Sequence, residues 1–379
     1  MVSGSGAARS LPIFPWDRLA PFGEIARQHP DGIIDLSIGT PVDSTPQIIR
    51  QALADASDAP GYPTAAGTLE FRTACINWLS RIAGATNLTP NHAIPSIGSK
   101  EMVAWLPTFL GFGPREVIAI PATAYPTYDV GARMAGCHVV TADGVAELES
   151  ARTRVEANGR RLAMVWLNSP ANPTGRISPV AELAAIVAWG RTHDVIVVSD
   201  ECYLELSWDQ SIKPVSVLHP SVIGDDARGV IAVHSLSKRS NLAGYRAGFI
   251  AGDLDLINKV LEIRKHGGNL LPTPIQHAAA VALDDQTHVD IQREIYRSRR
   301  SVLLEAFTAA GFTIHNSEAG LYLWMTRGEN CWDSIQWLAQ RGILLAPGSF
   351  YGEAGDQFVR AAFTATDSSV AKVSARLMA

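Results

Sequence analysis

Cysteine is scarce. The 379 residues hold four, at positions 75, 137, 202 and 331, with no CxxC pair. Neither a disulfide scaffold nor a zinc knuckle can be built on that spacing, and a reducing, cytoplasmic setting is expected. No apolar run approaches the ~20 residues that a membrane-spanning helix needs. The first 20 residues have no continuous apolar stretch of the kind found in a secretory signal. Positive charge is not in excess: 32 Lys and Arg stand against 37 Asp and Glu, for a net charge of −5. Nucleic acid and anionic membrane surfaces are therefore not expected partners. Internal repeats and low-complexity tracts are missing as well.

What the chain does have is core. Apolar residues make up 47% and charged residues 18%, a globular composition. Short apolar runs recur between Ala93 and Gly252: VIAI at 117–120, HVV at 138–140, LAMVWL at 162–167, VIVVS at 195–199 and VIAVH at 230–234. They lack polar alternation, as strands buried on both faces of a parallel sheet do. Helical patterns separate several of them. In one, Ser178 is expected as the cap, with Pro179 in the first turn. In such sheets ligands bind beyond the carboxyl ends of the strands. Asn172, Asp200 and the segment Ser235 to Lys238 all follow strand ends. Past Asp284 a charged helix and short alternating segments suggest a smaller α+β lobe. The start, LPIFPWDRLAPF, suggests an extended arm with a helical tail.

The segment HSLSKRSNLAGYRAG at 234–248 crowds hydroxyls and cations after an apolar run. Taken alone it is an ordinary solvated loop. A phosphate-bearing aldehyde cofactor such as pyridoxal phosphate would use it differently. Lys238 would hold the aldehyde as an imine, and Arg246, Ser235 and Ser237 would share the phosphate. Gly98, Ser99 and Lys100, at a strand-to-helix turn, offer backbone N–H groups and a helix dipole to the same anion. Asp200 can meet a pyridinium, Tyr203 can donate to the ring oxygen, and Tyr125 can stack on the ring.

With these residues assembled, the chain resembles the class I and II pyridoxal-phosphate aminotransferases. The matching segments are SIGTP at 37–41, GYPTAAGTLEFR at 61–72, IGSKE at 97–101, NSPANPTG at 168–175, SDECY at 199–203, SLSKRSNLAGYRAG at 235–248 and FVRAAF at 358–363. The resemblance implies the α/β fold-type I architecture: a mostly parallel seven-stranded sheet with helices on both faces, plus a smaller α+β domain. Its divisions would be 1–45 (arm and part of the small domain), 46–280 (large cofactor domain) and 281–379 (small domain). It makes Lys238 the Schiff-base lysine and proton shuttle and pairs Asp200 with the pyridine nitrogen. Asn172 and Tyr203 go to the ring oxygen, Tyr125 to the ring face, and Gly98, Ser99, Ser235, Ser237 and Arg246 to the phosphate. Tyr62 would reach the phosphate of a neighbouring subunit, which implies a homodimer with shared sites. Arg360, with Gly39 and Asn172, would clamp the substrate carboxylate. An amino donor and 2-oxoglutarate would react in turn, giving a keto acid and glutamate.

Segments at both ends, among them LPIFPWDRLAPF and ENCWDSIQWLAQRGILLAPGSFYGEAGDQFVR, narrow the resemblance to actinobacterial-type N-succinyldiaminopimelate aminotransferases of lysine and diaminopimelate biosynthesis. Such a donor carries distal carboxylates. Arg18, Arg133, Arg264 and Lys265 are candidates to meet them, although surface charge is the ordinary reading of each. The alternatives are another amino-acid aminotransferase or a carbon–sulfur β-lyase of the same fold. A transcriptional regulator with this fold would need a DNA-binding domain, and ~30 residues before the first motif are too few for one.

Overall fold

Every apolar run named above becomes a strand. The computed structural model describes residues 11–209 and 211–378. The first ten residues of the expected arm, and Ala379 at the end of the expected small domain, lie outside them. Seven strands join edge to edge in the order Ala93–Ile97, Ala247–Gly252, Val230–Ser235, Ile196–Asp200, Arg161–Asn168, Glu116–Ile120 and His138–Thr141. Pairing is parallel throughout except on the two sides of Ala247–Gly252. Pro95 sits in the edge strand Ala93–Ile97, where its missing N–H breaks no central ladder.

The missing alternation has the expected cause. Ile118, Met164, Trp166, Val198 and Ile231 pack one way, against the helices Ser99–Phe109, Thr127–Met134 and Leu254–Gly267. Val117, Ala119, Val165, Val197 and Ala232 pack the other way, against Leu69–Ala83, Val145–Ala157, Val180–Thr192 and Thr273–Asp284. Both faces are covered, so neither can be polar.

One local expectation is corrected. Ser178 does not cap the helix Val180–Thr192. Pro179 is the cap residue, in extended geometry (φ −60°, ψ 148°), and it gives no side-chain bond. The extended proline carries Ser178 out of reach of the first turn. The Ser178 amide donates instead to Ser169 Oγ at 3.0 Å.

A second, antiparallel sheet follows in the order Ala346–Pro347, Val359–Ala362, Tyr322–Thr326 and Thr313–His315. The helices Thr287–Ala309 and Cys331–Gln340 pack on it, joined by Leu19, Ile34 and Leu36 from the start of the chain. Ile34–Asp35 adds a short parallel pair with Ile343–Leu344. The arm has its helical tail, a 3-10 turn at Pro15–Arg18 leading into the helix Ala20–Arg27. Among the described residues no helix is long and apolar enough to cross a membrane.

The helices Ser99–Phe109 and Thr127–Met134 touch through Gly131. A Cβ there would lie 2.6 Å from the Val103 carbonyl oxygen. Backbone cannot yield as a flexible side chain can, so Gly131→Ala should destabilise the fold by about 1–3 kcal/mol. The exposed Gly267→Ala, with nothing within 4 Å of its added carbon, should change stability by no more than about 1 kcal/mol, in the favourable direction. Urea unfolding of the two variants checks this. Equal stabilities would mean that the two helices can part without cost.

Candidate functional site

The carboxyl ends of the central strands and the rim of the small sheet enclose one cavity of about 830 Å³. Strand register brings its floor together: Asn168 stands opposite Asp200, and the next strand over ends at Ser235. Ser235 caps the short helix Leu236–Arg239, its hydroxyl accepting from the Ser237 amide at 3.1 Å. That turn projects Lys238 into the cavity, where its Nζ donates to the Gly39 carbonyl.

Arg246 adopts a left-handed backbone (φ 56°) and donates to the carbonyls of Ala243 at 2.8 Å and Ile97 at 3.4 Å. Its guanidinium lies against Gly98, the cap residue of the helix Ser99–Phe109. A Cβ on Gly98 would fall 2.3 Å from Arg246 Nη2, and φ of 73° disfavours one anyway. A guanidinium beside the open amides of a helix N-terminus makes an anion site.

Asp200 is buried, and its partners are neutral. The Tyr128 hydroxyl donates to Oδ2 at 3.0 Å and the Cys202 amide to Oδ1 at 3.2 Å. Burial raises its pKa, against those two bonds. Tyr128 is in turn fixed by stacking on Trp166, with ring centroids 4.8 Å apart.

Arg360 is the opposite case, a buried cation without a carboxylate partner among the described residues. Nη1 donates to Asn172 Oδ1 at 2.9 Å and Nη2 to the Ser37 carbonyl at 2.7 Å, while Nε has no partner among the described residues. Its guanidinium carbon lies 3.9 Å from the Tyr322 ring centroid.

Beneath the Lys238 helix lies a buried polar layer that the sequence reading did not anticipate. Glu205 pairs with Arg239 and accepts from Trp78 Nε1 at 3.1 Å. His234 is held neutral, burial pulling its pKa down to about 3, and burial pushes Glu201 up to about 7. Although His234 Nε2 and Glu201 Oε2 are 3.6 Å apart, those directions make them no ion pair at neutral pH.

Gly39, Ser99, Lys100, Tyr125, Asn172, Asp200, Tyr203, Ser235, Ser237, Lys238, Arg246 and Arg360 all line the cavity. Gly98 stands just behind, against Arg246. Tyr62 is not in it; it is 99% exposed. The distal cations fare differently. Arg264 is fully buried, donating to the Pro95 carbonyl at 2.5 Å with Nε 3.3 Å from Glu101. Arg133 pairs with Asp129, Lys265 with Glu262, and Arg18 lies over the Trp332 ring. None of the four lines the cavity. Arg133 and Lys265 pair with helix neighbours four and three residues away, whereas Pro95 and Glu101 beside Arg264, and Trp332 beside Arg18, are distant in sequence.

Sequence reasoning missed Tyr128, Cys202, Tyr322 and the arm residues Phe14 and Trp16, all but Tyr128 on the cavity wall. Tyr128 had one signal: it follows Tyr125 at a helical spacing of three. Cys202, Phe14 and Trp16 fall inside segments that carry the resemblance, and Tyr322 had no signal.

Comparison with known proteins agrees with this geometry. The family described as "Aminotransferase class I and II" matches residues 31–377. A Mycobacterium tuberculosis protein named "Probable aminotransferase Rv1178" is 54% identical over 98% of this chain and 86% of its own. The Streptomyces rimosus "4-dedimethylamino-4-oxo-anhydrotetracycline transaminase OxyQ" is 51% identical over 97% of this chain and 99% of its own. The "LL-diaminopimelate aminotransferase" of Gloeobacter violaceus is 31% identical over 96% of both. Among solved structures, the aspartate aminotransferase of Thermus thermophilus superposes with a TM-score of 0.86 at 25% identity, over 99% of each chain. The chain belongs to the class I and II aminotransferases, transaminases of this fold that use pyridoxal phosphate and act on amino and keto acids.

Proposed function

We propose that the chain transfers the amino group of N-succinyl-LL-diaminopimelate to 2-oxoglutarate, with pyridoxal phosphate bound around Lys238. The observation that carries the reading is the set of charges facing the cavity. Asp200 is a desolvated carboxylate with only neutral donors. Arg360 is a desolvated cation with no carboxylate partner among the described residues. Lys100 is on the wall at the arm, its Nζ 5.8 Å from the Phe14 ring centroid and in no ion pair among the described residues. A buried charge is tolerated when an opposite charge or strong hydrogen bonds compensate it. A protonated pyridine would compensate Asp200 and an α-carboxylate Arg360, while the exposed Lys100 stands open to a distal carboxylate.

The cofactor fits these residues. When bound it supplies an aldehyde that links to amines and a ring that accepts the electron pair left as the α-proton departs. Lys238 would hold the aldehyde and, once freed, its amine would take up and return the α-proton. Arg246, Ser99 and Ser237 hold the phosphate, and the Gly98 backbone leaves Arg246 room. Tyr203 stays protonated, because burial raises its pKa well above the usual value, and so acts as a donor. Asn172 spends Oδ1 on Arg360, which leaves its amide N–H groups for the ring oxygen.

A panel of amino donors with 2-oxoglutarate, followed by glutamate release, tests the substrate. The α-carboxylate clamp is common to all amino acids, so discrimination must arise at the distal end. N-Succinyl-LL-diaminopimelate should lead free LL-diaminopimelate, aspartate and phenylalanine by roughly a hundredfold in kcat/KM. Lys100→Met should cut that lead about tenfold. An equal rate with phenylalanine, or an undiminished lead in the variant, contradicts the assignment. A second reading, a substrate with a large apolar ring system, is favoured by the wall of Phe14, Trp16, Ile38 and Trp105 and by the name of the 51% identical relative. The same panel, extended to polycyclic ketones, separates the two.

Two copies of the chain are proposed to share sites, which is supported by a tyrosine 99% exposed in a family motif. Mixing Tyr62→Phe subunits with Lys238→Ala subunits should restore activity, because heterodimers hold one site with both lesions and one with neither. No recovery despite verified subunit exchange would mean that Tyr62 serves no neighbouring site.

A further inference from the structure

Tyr322 has no part in the transfer as set out above, yet its hydroxyl stands among the residues that do. It opens the strand Tyr322–Thr326 and is buried, with its ring under the Arg360 guanidinium. Its oxygen is 3.1 Å from that of Tyr203, and both side chains line the cavity beside Lys238. A Cβ on Gly39 would come within 2.3 Å of the same oxygen. Gly39 must therefore lack a side chain because of Tyr322, whatever its carbonyl does for substrate.

Hydroxyl accounting sets the direction of the tyrosine pair. A phenol has one proton to donate. If Tyr203 gives its proton to an acceptor in the cavity, it can only accept from Tyr322. The surroundings favour that sense. Burial alone would raise the pKa of both. Around Tyr322 the charges of Arg360 and Lys238, with the bond to Tyr203, outweigh burial and lower it, while Tyr203 remains raised. The more acidic phenol is the better donor. The titratable groups facing Tyr322 are Tyr203 and Cys202 after the central strand, Lys238 on its short helix, Arg360 on the paired strand, and Tyr125, Tyr296 and Tyr351. The cations among them are Lys238 and Arg360, and both lie on the side that favours donation.

We infer that Tyr322 is a positioning residue: its phenol donates to the Tyr203 oxygen and so commits the Tyr203 proton to the ring oxygen of the bound cofactor. The inference rests on the cofactor reading above. Its signature is spectroscopic. A donor at the ring oxygen favours the deprotonated form of the cofactor linkage, so weakening that donor raises the pH midpoint of the visible absorption band.

Purified holoenzyme is titrated from acid to alkaline pH in four forms: native, Tyr322→Phe, Tyr203→Phe and the double variant. Phenylalanine keeps the ring under Arg360, so KM for the amino donor should stay within about twofold. The Tyr322→Phe midpoint should rise by about half a unit to one unit. The double variant should titrate like Tyr203→Phe alone, since Tyr322 then has nothing to act through. An unmoved midpoint in Tyr322→Phe overturns the inference, as does a double shift equal to the sum of the single ones. A native protein that binds pyridoxal phosphate without a visible band would overturn the cofactor reading, and this inference with it.

Discussion

Asp200 sits out of water at the end of the middle strand, with a phenol and a backbone amide for partners, and the site is organised around that carboxylate. Moving a carboxylate from water into a protein interior costs several kcal/mol unless an opposite charge repays it. Among the described residues no cation is bonded to it. The sheet supports the burden by rigidity: Trp166 fixes Tyr128, Tyr128 fixes one carboxylate oxygen, and the Cys202 amide fixes the other. Arg360 presents the mirror problem from the rim of the small sheet, with only neutral acceptors. Two desolvated charges of opposite sign thus face one cavity without pairing with each other. A ligand that brings a cation to the first and an anion to the second relieves both, which is what a pyridinium and an amino-acid carboxylate offer.

The lysine chemistry follows from the same arrangement. A parallel sheet delivers the residues at its carboxyl ends to one edge, where ligands bind. Asn168, Asp200 and Ser235 end the strands Arg161–Asn168, Ile196–Asp200 and Val230–Ser235. The short Ser235-capped helix then turns Lys238 back over that edge. The proposed anion site is separate, at the start of the helix Ser99–Phe109, where Gly98 leaves space for Arg246.

Much of this was legible in the chain. Strands buried on both faces announce themselves by lacking alternation, and the motifs around Lys238, Asp200 and Arg360 combine residue types that an ordinary loop seldom assembles. Ala93–Ile97 and Ala247–Gly252 were harder, since Pro95 and the small residues of AGFIAG carry little strand signal. Tyr322 was not legible because a buried tyrosine in an apolar stretch looks like core until its hydroxyl partner is known. Arg264 misled for the converse reason. A charged residue at a helix end suggests surface or ligand, and only the fold reveals that Pro95, Asn269 and Glu101 enclose it. Ser178 failed as a cap because one extended proline intervenes.

The central claim is that Lys238 is the residue that holds the cofactor. Borohydride reduction of the purified protein loaded with pyridoxal phosphate, followed by peptide mapping, tests it most directly. A single pyridoxyl adduct on the peptide containing Lys238, and none in Lys238→Ala, is the predicted result. An adduct on another lysine, with Lys238 unmodified, would contradict the account.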